Sequence, residues 1–344
     1  MKPTLREYVT ESANEGINRK GRLFGYLYGA LGAILFSMKA IFVKLAYLPG
    51  DGIEANEIDA ISLMALRLGF SLPFYIAILW LILNQQKTKV EYPGLNKGRN
   101  LMIAGLLGVL GYYICAYLDI TALKFVTAQL ERLILFTYPV FVVILSAIFL
   151  GFRPSTPSIL GIVIGYAGII VIFMNGDITQ GENLWLGTVM LLLCAICFAG
   201  FQLMAKPMIS RLGSTAFTCC AMIMAGIVIF SHLILKNLVE GTLGLPDLPL
   251  RIWLLGGALA LFSTLIPSFL VNIAIHRIGP QATAMLGLLS PVATIIFAIF
   301  WLGEPFGRYD AIGTLMTLVG IGYYSWHSRR REEIPPNNPA ALQR

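Results

Sequence analysis

The chain has 344 residues, 57% of them hydrophobic and only 12% charged, with a formal net charge of +7 and a mean hydropathy of +0.76. Soluble domains carry roughly 25% charged residues, so a soluble globular protein is excluded and a polytopic membrane protein is implied. Topology and an anionic inner leaflet account for the positive balance, which calls for no nucleic-acid partner.

Residues 1–21, MKPTLREYVTESANEGINRKG, are polar, and no small-residue cleavage site follows the first apolar run. They are expected to form a cytoplasmic N-terminal extension. From there, apolar runs of about 20 residues, enough to cross roughly 30 Å of hydrocarbon, recur almost without pause. The expected fold is all-α integral membrane, with ten transmembrane helices near 23–47, 61–83, 101–121, 126–150, 158–175, 184–205, 214–236, 252–275, 280–302 and 309–327. Residues 328–344 combine a charge run with prolines that deny them a packed core, and are expected to be a disordered cytoplasmic tail.

Lys and Arg concentrate in cytoplasmic loops. Arg19, Lys20 and Arg22 precede the first helix; Lys87, Lys89, Lys97 and Arg99 follow the second, Arg153 the fourth, Lys206 and Arg211 the sixth, His276 and Arg277 the eighth, and Arg329, Arg330 and Arg331 the tenth. All fall on one side. The opposite loops include the acidic PGDGIEANEIDA and NGDITQGEN, with Lys124, Lys236, Arg251 and Arg308 as exceptions. Both termini are therefore expected in the cytoplasm and the chain in the cell inner (cytoplasmic) membrane.

Cys115, Cys194, Cys197, Cys219 and Cys220 sit inside expected helices, where a thiol behaves as a small hydrophobe. CAIC at 194–197 has metal-like spacing but no second Cys/His pair at its depth. Only three histidines occur, His232, His276 and His327, at scattered depths and without a Gly-rich phosphate loop. No catalytic site, metal or cofactor is expected.

The chain repeats itself. A shift of 152 lays Gly105–Ile169 on Gly257–Ile321 without a gap, pairing Gln129 with Gln281, Pro139 with Pro291, LG at 150 with LG at 302, Gly161 with Gly313 and Gly168 with Gly320. Phe36 and Lys44 correspond to Phe198 and Lys206 at a slightly different shift. Two five-helix halves follow, 22–175 and 184–327, and an odd helix count makes the second enter from the opposite side. Inverted repeats of this kind place a substrate site near the bilayer midplane between the halves.

The stretches ALKFVTAQLERLILFTYPVFVVILSAIFLGFRPSTPSILGIVIGYAGIIVIF and AIHRIGPQATAMLGLLSPVATIIFAIFWLGEPFGRYDAIGTLMTLVGIGYYSW resemble the paired signature of EamA-type transporters in the drug/metabolite transporter superfamily. In that pattern a short connection leads to a helix with a central proline, then LGE, then a glycine-rich helix. The resemblance spans about 22 to 327 and implies ten helices, internal termini and export of small metabolites. The first copy departs from it, with Phe152 where the second keeps the acid as Glu304.

Ionisable residues cluster by depth in the outer half of the first repeat: Lys39, Lys44, Arg67, Asp119 and Glu131. Each costs of order 2.5–3.5 kcal/mol there unless it faces protein or water, so pairing is expected, Glu131 with Arg67 or Lys39. Gly105, Gly108, Tyr112, Cys115 and Asp119 share one helical face by 3-4 spacing, as do Thr127, Glu131, Ile134 and Tyr138, and Tyr28, Gly32, Leu35 and Lys39. For Glu131 both a lumen role and a structural ion pair remain open, and glycines on these faces equally serve helix packing. For Arg67 the resemblance favours structure, since an arginine near this position is common in the family. Arg132 points about 100° from Glu131 and either enters the lumen or snorkels to the interface. The second half offers Gln202, Asn272 and Gln281.

The leading expectation is a secondary transporter that moves a small polar or zwitterionic metabolite, amino-acid-like or an amine, by alternating access, as exporter or exchanger. The alternative is a channel or a duplicated membrane scaffold. Expected partners are the small-molecule substrate, the lipid bilayer, and a coupling proton or counter-substrate; the sequence also admits a homodimer.

Overall fold

The computed structural model describes residues 19–52, 54–55, 57–86, 98–150, 156–174, 183–241, 248–287 and 289–332. Phe152, most of the C-terminal tail and the N-terminal extension to residue 18 lie outside them. Among the described residues the fold is all-helical, with no strand. The elements are α1 (Arg19–Tyr47), α2 (Ala60–Gln86), α3 (Gly98–Gly108), α4 (Cys115–Ala122), α5 (Ala128–Leu135), α6 (Tyr138–Leu150), α7 (Thr156–Met174), α8 (Leu184–Leu212), α9 (Ser214–Glu240), α10 (Leu250–Ala260), α11 (Ile266–Leu286), α12 (Leu289–Phe297) and α13 (Arg308–Glu332). Widened π turns join α3 to α4 at Val109–Ile114 and α10 to α11 at Leu261–Leu265, and a third at Ala298–Leu302 extends α12.

Among the described residues, seven helical stretches are long and apolar enough to cross a membrane: Leu23–Tyr47, Ala60–Asn84, Gly98–Ala122, Ala128–Phe149, Leu184–Ile209, Ser214–Glu240 and Leu250–Val271; Ile159–Gly168 and Leu289–Leu302 are shorter apolar helices. Trp80, Phe149 and Phe300 point outward on these helices. That is the arrangement hydrocarbon solvates, with backbone polar groups satisfied within each helix.

Breaks in the helices have chemical causes. The expected helix 126–150 is interrupted between α5 and α6, and a matching break separates α11 from α12. Pro139 lies four residues beyond Leu135, the last residue of α5, and Pro291 four beyond Gly287, the turn residue that follows α11. A proline ring lacks an N–H and collides with the carbonyl four residues earlier, so each helix yields there. Thr137 Oγ1 donates to the Ile134 carbonyl at 2.6 Å, an oxygen that the Thr137 N–H also reaches at 3.0 Å. Pro267 has the same effect on the Ser263 carbonyl, and the chain responds with the Leu261–Leu265 π turn. At the C-terminus the last helix runs on to Glu332, past its expected end at 327.

Packing between the two parts of the chain is reciprocal. α1 lies against α11 as α8 lies against α4; α1 meets α12 as α8 meets α6; α2 meets α10 as α9 meets α3. α2 with α9, and α7 with α13, close the set. The α7–α13 contact is a backbone seam: a Cβ on Gly168 would fall 2.5 Å from the Gly313 carbonyl oxygen, and one on Gly320 would fall 2.6 Å from that of Gly161. These are the same two repeat-related glycines seen from each side. Thr317 Oγ1 donates to the carbonyl of Gly165, its own repeat equivalent, at 3.2 Å. Small residues let helix backbones approach where no solvent drives association.

The seam sets a stability test. Gly320→Ala puts a methyl 2.3 Å from the Gly165 nitrogen, and is expected to destabilise by about 1–3 kcal/mol. Gly200→Ala meets nothing within 4 Å and should be neutral or stabilising by up to about 1 kcal/mol. Thermal unfolding of the detergent-purified protein measures both; equal effects would contradict a backbone seam.

Candidate functional site: a charged cavity between repeat-related helices

A cavity of about 770 Å³ lies among α1, α2, α4, α5, α6, α8, α9, α11 and the two inter-helix π turns. Its volume falls in the range of small-molecule sites, roughly 300–1,000 Å³. Repeat-related positions face it in pairs, Gly111 with Ser263, Tyr112 with Thr264, and Ala116 with Ser268. π turns recur at functional sites because they turn side chains and carbonyls out of register. Phe36 and its counterpart Phe198 also line it, and Tyr112, Tyr138, Phe198 and Phe201 build an aromatic wall with ring centroids 5.2–5.8 Å apart.

The charged groups converge at the end of the cavity next to Tyr47. Lys39 Nζ donates to Asp119 Oδ2 and stands 3.3 Å from Glu131 Oε1. Arg132 Nε stands 3.7 Å from Glu131 Oε2 and donates to Thr294 Oγ1 at 3.2 Å, while another guanidinium nitrogen donates to the Phe36 carbonyl at 3.3 Å. This cluster ties α1, α4, α5 and α12 together. An ammonium between two carboxyl groups is how buried charge becomes tolerable in a low-dielectric medium.

Of the sequence candidates, Lys39, Arg67, Tyr112, Asp119, Arg132, Tyr138 and Gln202 face the cavity. Glu131 does not: it is 0% exposed and sits behind Lys39 and Arg132. Its partners are Lys39 and Arg132, not Arg67. Arg132 does not snorkel to the interface, because the Thr294 and Phe36 acceptors hold it inward. Asn272 and Gln281 have side chains outside the described residues.

Two expected lumen faces are helix seams instead. Gly105 and Gly108 meet α9, a Cβ on Gly108 falling 2.1 Å from the Ala221 carbonyl oxygen. The π turn adds a residue between them and Tyr112 and so rotates the face, separating the glycines from Tyr112, Cys115 and Asp119. On α1, Gly29 and Gly32 pack against Leu286 and Val271 of α11. Cys115 and Cys194 each reach the other's backbone carbonyl, at 3.8 and 3.2 Å, joining α4 to α8.

Sequence reasoning missed Glu304 as a structural element. Its carboxylate accepts from the Ala128 N–H at 2.7 Å and the Gln129 N–H at 3.3 Å, and Gln129 Nε2 donates to the Pro305 carbonyl at 3.3 Å. It therefore caps the N-terminus of α5 across a sequence separation of 176, beside the Thr127 hydroxyl that accepts from Leu130 N–H at 3.2 Å. Exposed helix donors and the positive end of the dipole both favour an anion there. Thr127 was the legible half of this cap. Nearby, Tyr47 donates to the Ile120 carbonyl at 2.9 Å, and Lys236–Asp59 (2.7 Å) and Arg251–Asp51 (3.5 Å) pair two of the exceptional bases with the acidic α1–α2 loop.

Buried charges around a cavity at the junction of repeat-related helices define a multi-pass membrane transport protein. A profile of the EamA-like transporter family matches residues 23–174 and 185–326, and the chain belongs to that family. It is 25% identical over 313 residues to the uncharacterized transporter YcbK of Bacillus subtilis, covering 90% of this chain and 96% of that one. It is 27% identical over 248 residues to a probable terminal-alkyne amino-acid exporter of Streptantibioticus cattleyicolor, covering 70% of this chain and 79% of the exporter. A solved crystal structure shares the fold, with a TM-score of 0.58 at 17% identity over 90% of this chain and 99% of its own.

Two outcomes follow. Glu131→Gln leaves Lys39 and Arg132 with one carboxylate fewer inside the bundle, and is expected to destabilise by about 3–5 kcal/mol, read as a lowered unfolding temperature; an unchanged value would show that the pair carries no structural load. Burial pushes the Glu304 carboxyl above the ordinary glutamate value of 4.5, against the Ala128 and Gln129 N–H groups and Lys44, which pull it down. The folded chain thus holds this proton more tightly than the unfolded chain, and the stability Glu304 contributes falls as pH rises from 4.5 through its raised value. Against wild type, Glu304→Gln should gain unfolding temperature over that interval; a steady loss would mean the carboxylate cap outweighs burial.

Proposed function

We propose that the chain is a secondary carrier that moves a small polar or zwitterionic metabolite, amino-acid-like or an amine, by alternating access, as an exporter or exchanger in the cytoplasmic membrane. The observation that carries this reading is the Lys39–Asp119–Glu131–Arg132 cluster at one end of a roughly 770 Å³ cavity. A permanent pore gains nothing from a tight ion cluster across its end. A cluster that must exchange partners with a passing solute gives each conformational state its own set of contacts.

The architecture proposed with it is ten helices in two inverted five-helix halves, 22–175 and 184–327, with both termini in the cytoplasm. Reciprocal helix contacts and the shared glycine seam support the inversion, and the Lys/Arg asymmetry supports the orientation. In this frame the charged cluster and the Glu304 cap seal the outer end, while the cavity reaches Ile209 and Thr218 toward the cytoplasm. The aromatic wall suits a solute with an apolar portion beside its charged one. Likeness to an amino-acid exporter points the same way. A proton or second solute supplies the counter-movement.

Reconstituted protein separates the readings. Saturable counterflow of amino acids or amines is expected; flux that rises linearly without saturating identifies a channel, and none identifies a scaffold. Neutral lipophilic compounds should compete poorly, and competition equal to that of charged solutes would refute a charged substrate. Reporter fusions after Arg99 and after Gly181 should report opposite faces; the same face for both would overturn the orientation.

A further inference from the structure

Arg67 is the exception in a cavity whose other cations are paired. It lies on α2 with 8% of its surface exposed and faces the cavity. Among the described residues no hydrogen bond or ion pair engages its guanidinium, and its Nε is buried without an acceptor. Asp119 is the carboxylate in its electrostatic neighbourhood, but Lys39 holds one oxygen of that group. Ser263 repeats the pattern from the other half: the residue lines the same cavity with 5% of its surface exposed, and its hydroxyl is buried without a partner. It stands on the Leu261–Leu265 π turn, which packs against α2.

Three cationic side chains, Lys39, Arg67 and Arg132, thus face two carboxyl groups, Asp119 and Glu131, and the unmatched one is a guanidinium. A buried guanidinium with no acceptor is costly, and its planar fork of donors fits a carboxylate. The aromatic wall of Tyr112, Tyr138, Phe198 and Phe201 faces the same space. We propose that Arg67 and Ser263 together receive the carboxylate of the substrate, whose apolar body lies on the aromatic wall, so that the cavity takes carboxylic acids with hydrocarbon side chains, amino acids among them. This assignment rests on the carrier reading of the same cavity and adds to it which charged group the substrate must carry.

The test uses full-length protein in detergent, with L-leucine, L-phenylalanine, 4-methylpentanoate, leucine methyl ester and 3-methylbutylamine as matched probes at equal ionic strength. A ligand of the folded state raises the unfolding temperature through RT ln(1 + [L]/Kd). The free carboxylates are expected to raise it, and the ester and the amine are not. Without ligand, Arg67→Gln should unfold at the same or a higher temperature than wild type, since it removes an unpaired buried charge, and its affinity for carboxylates should fall by ~10-fold or more. Ser263→Ala, the milder change, should weaken it by roughly 2- to 10-fold.

A lowered unliganded unfolding temperature in Arg67→Gln, with the carboxylate response intact, would make Arg67 structural and overturn the assignment. So would a wild-type protein that responds equally to the amine and the ester, to chloride or phosphate, or to no carboxylate of the series. Counterflow in proteoliposomes keeps the two claims apart. Exchange of solutes without a carboxylate retains the carrier and removes the receptor, whereas a carboxylate-specific shift without any exchange retains the receptor and removes the carrier.

Discussion

A lysine ammonium held between two carboxyl groups inside hydrocarbon is the constraint on which the site depends. Lys39 cannot remain charged in the bundle without Asp119 and Glu131, and neither acid is stable there without a base. The three residues come from α1, α4 and α5, so satisfying them fixes how those helices meet. Arg132 then extends the network to Thr294 on α12. Local electrostatics and the assembly of the bundle are one problem with one solution.

The fold is symmetric where packing decides and asymmetric where charge decides. The Gly168/Gly320 seam, the breaks at Pro139 and Pro291 and the π turns at Val109–Ile114 and Leu261–Leu265 fall at matching positions of the two halves. The ionisable groups of the cluster do not. At the positions of Asp119, Glu131 and Arg132 the second half carries Val271, Thr283 and Ala284, and the correspondence of Phe36 with Phe198 sets Phe201 opposite Lys39. The first half contributes the charged cluster and the tyrosines of the aromatic wall, the second the phenylalanines of that wall and the Ser and Thr hydroxyls. An amphipathic solute can use both.

Much of this was legible in the sequence. Membrane-length apolar runs, the 152-residue repeat and the depth of the buried charges led to the cavity and to most of its polar lining. Side-chain direction was less accessible. Strict 3-4 spacing assumes an unbroken α-helix, and the π turn at Val109–Ile114 rotates Gly108 away from Tyr112. For Arg132 the sequence left lumen and interface both open, because its acceptors, Thr294 and the Phe36 carbonyl, lie far away in sequence. The Glu304 cap was hidden for the same reason: one end announces itself in Thr127, while the carboxylate arrives from another part of the chain.

That cap bears on how the two copies diverged. In the second half the position of Ala128 is Pro280, which has no amide proton to offer, and in the first the position of Glu304 is Phe152, which has no carboxylate. The contact made at one end of the molecule therefore has no chemical means of forming at the other. The two halves are complementary parts: a tandem of two first halves would leave α5 without its acid, and a tandem of two second halves would keep the acid but lose the shorter of its two backbone donors, the Ala128 amide. Replacing either half by a copy of the other therefore weakens or removes this cap.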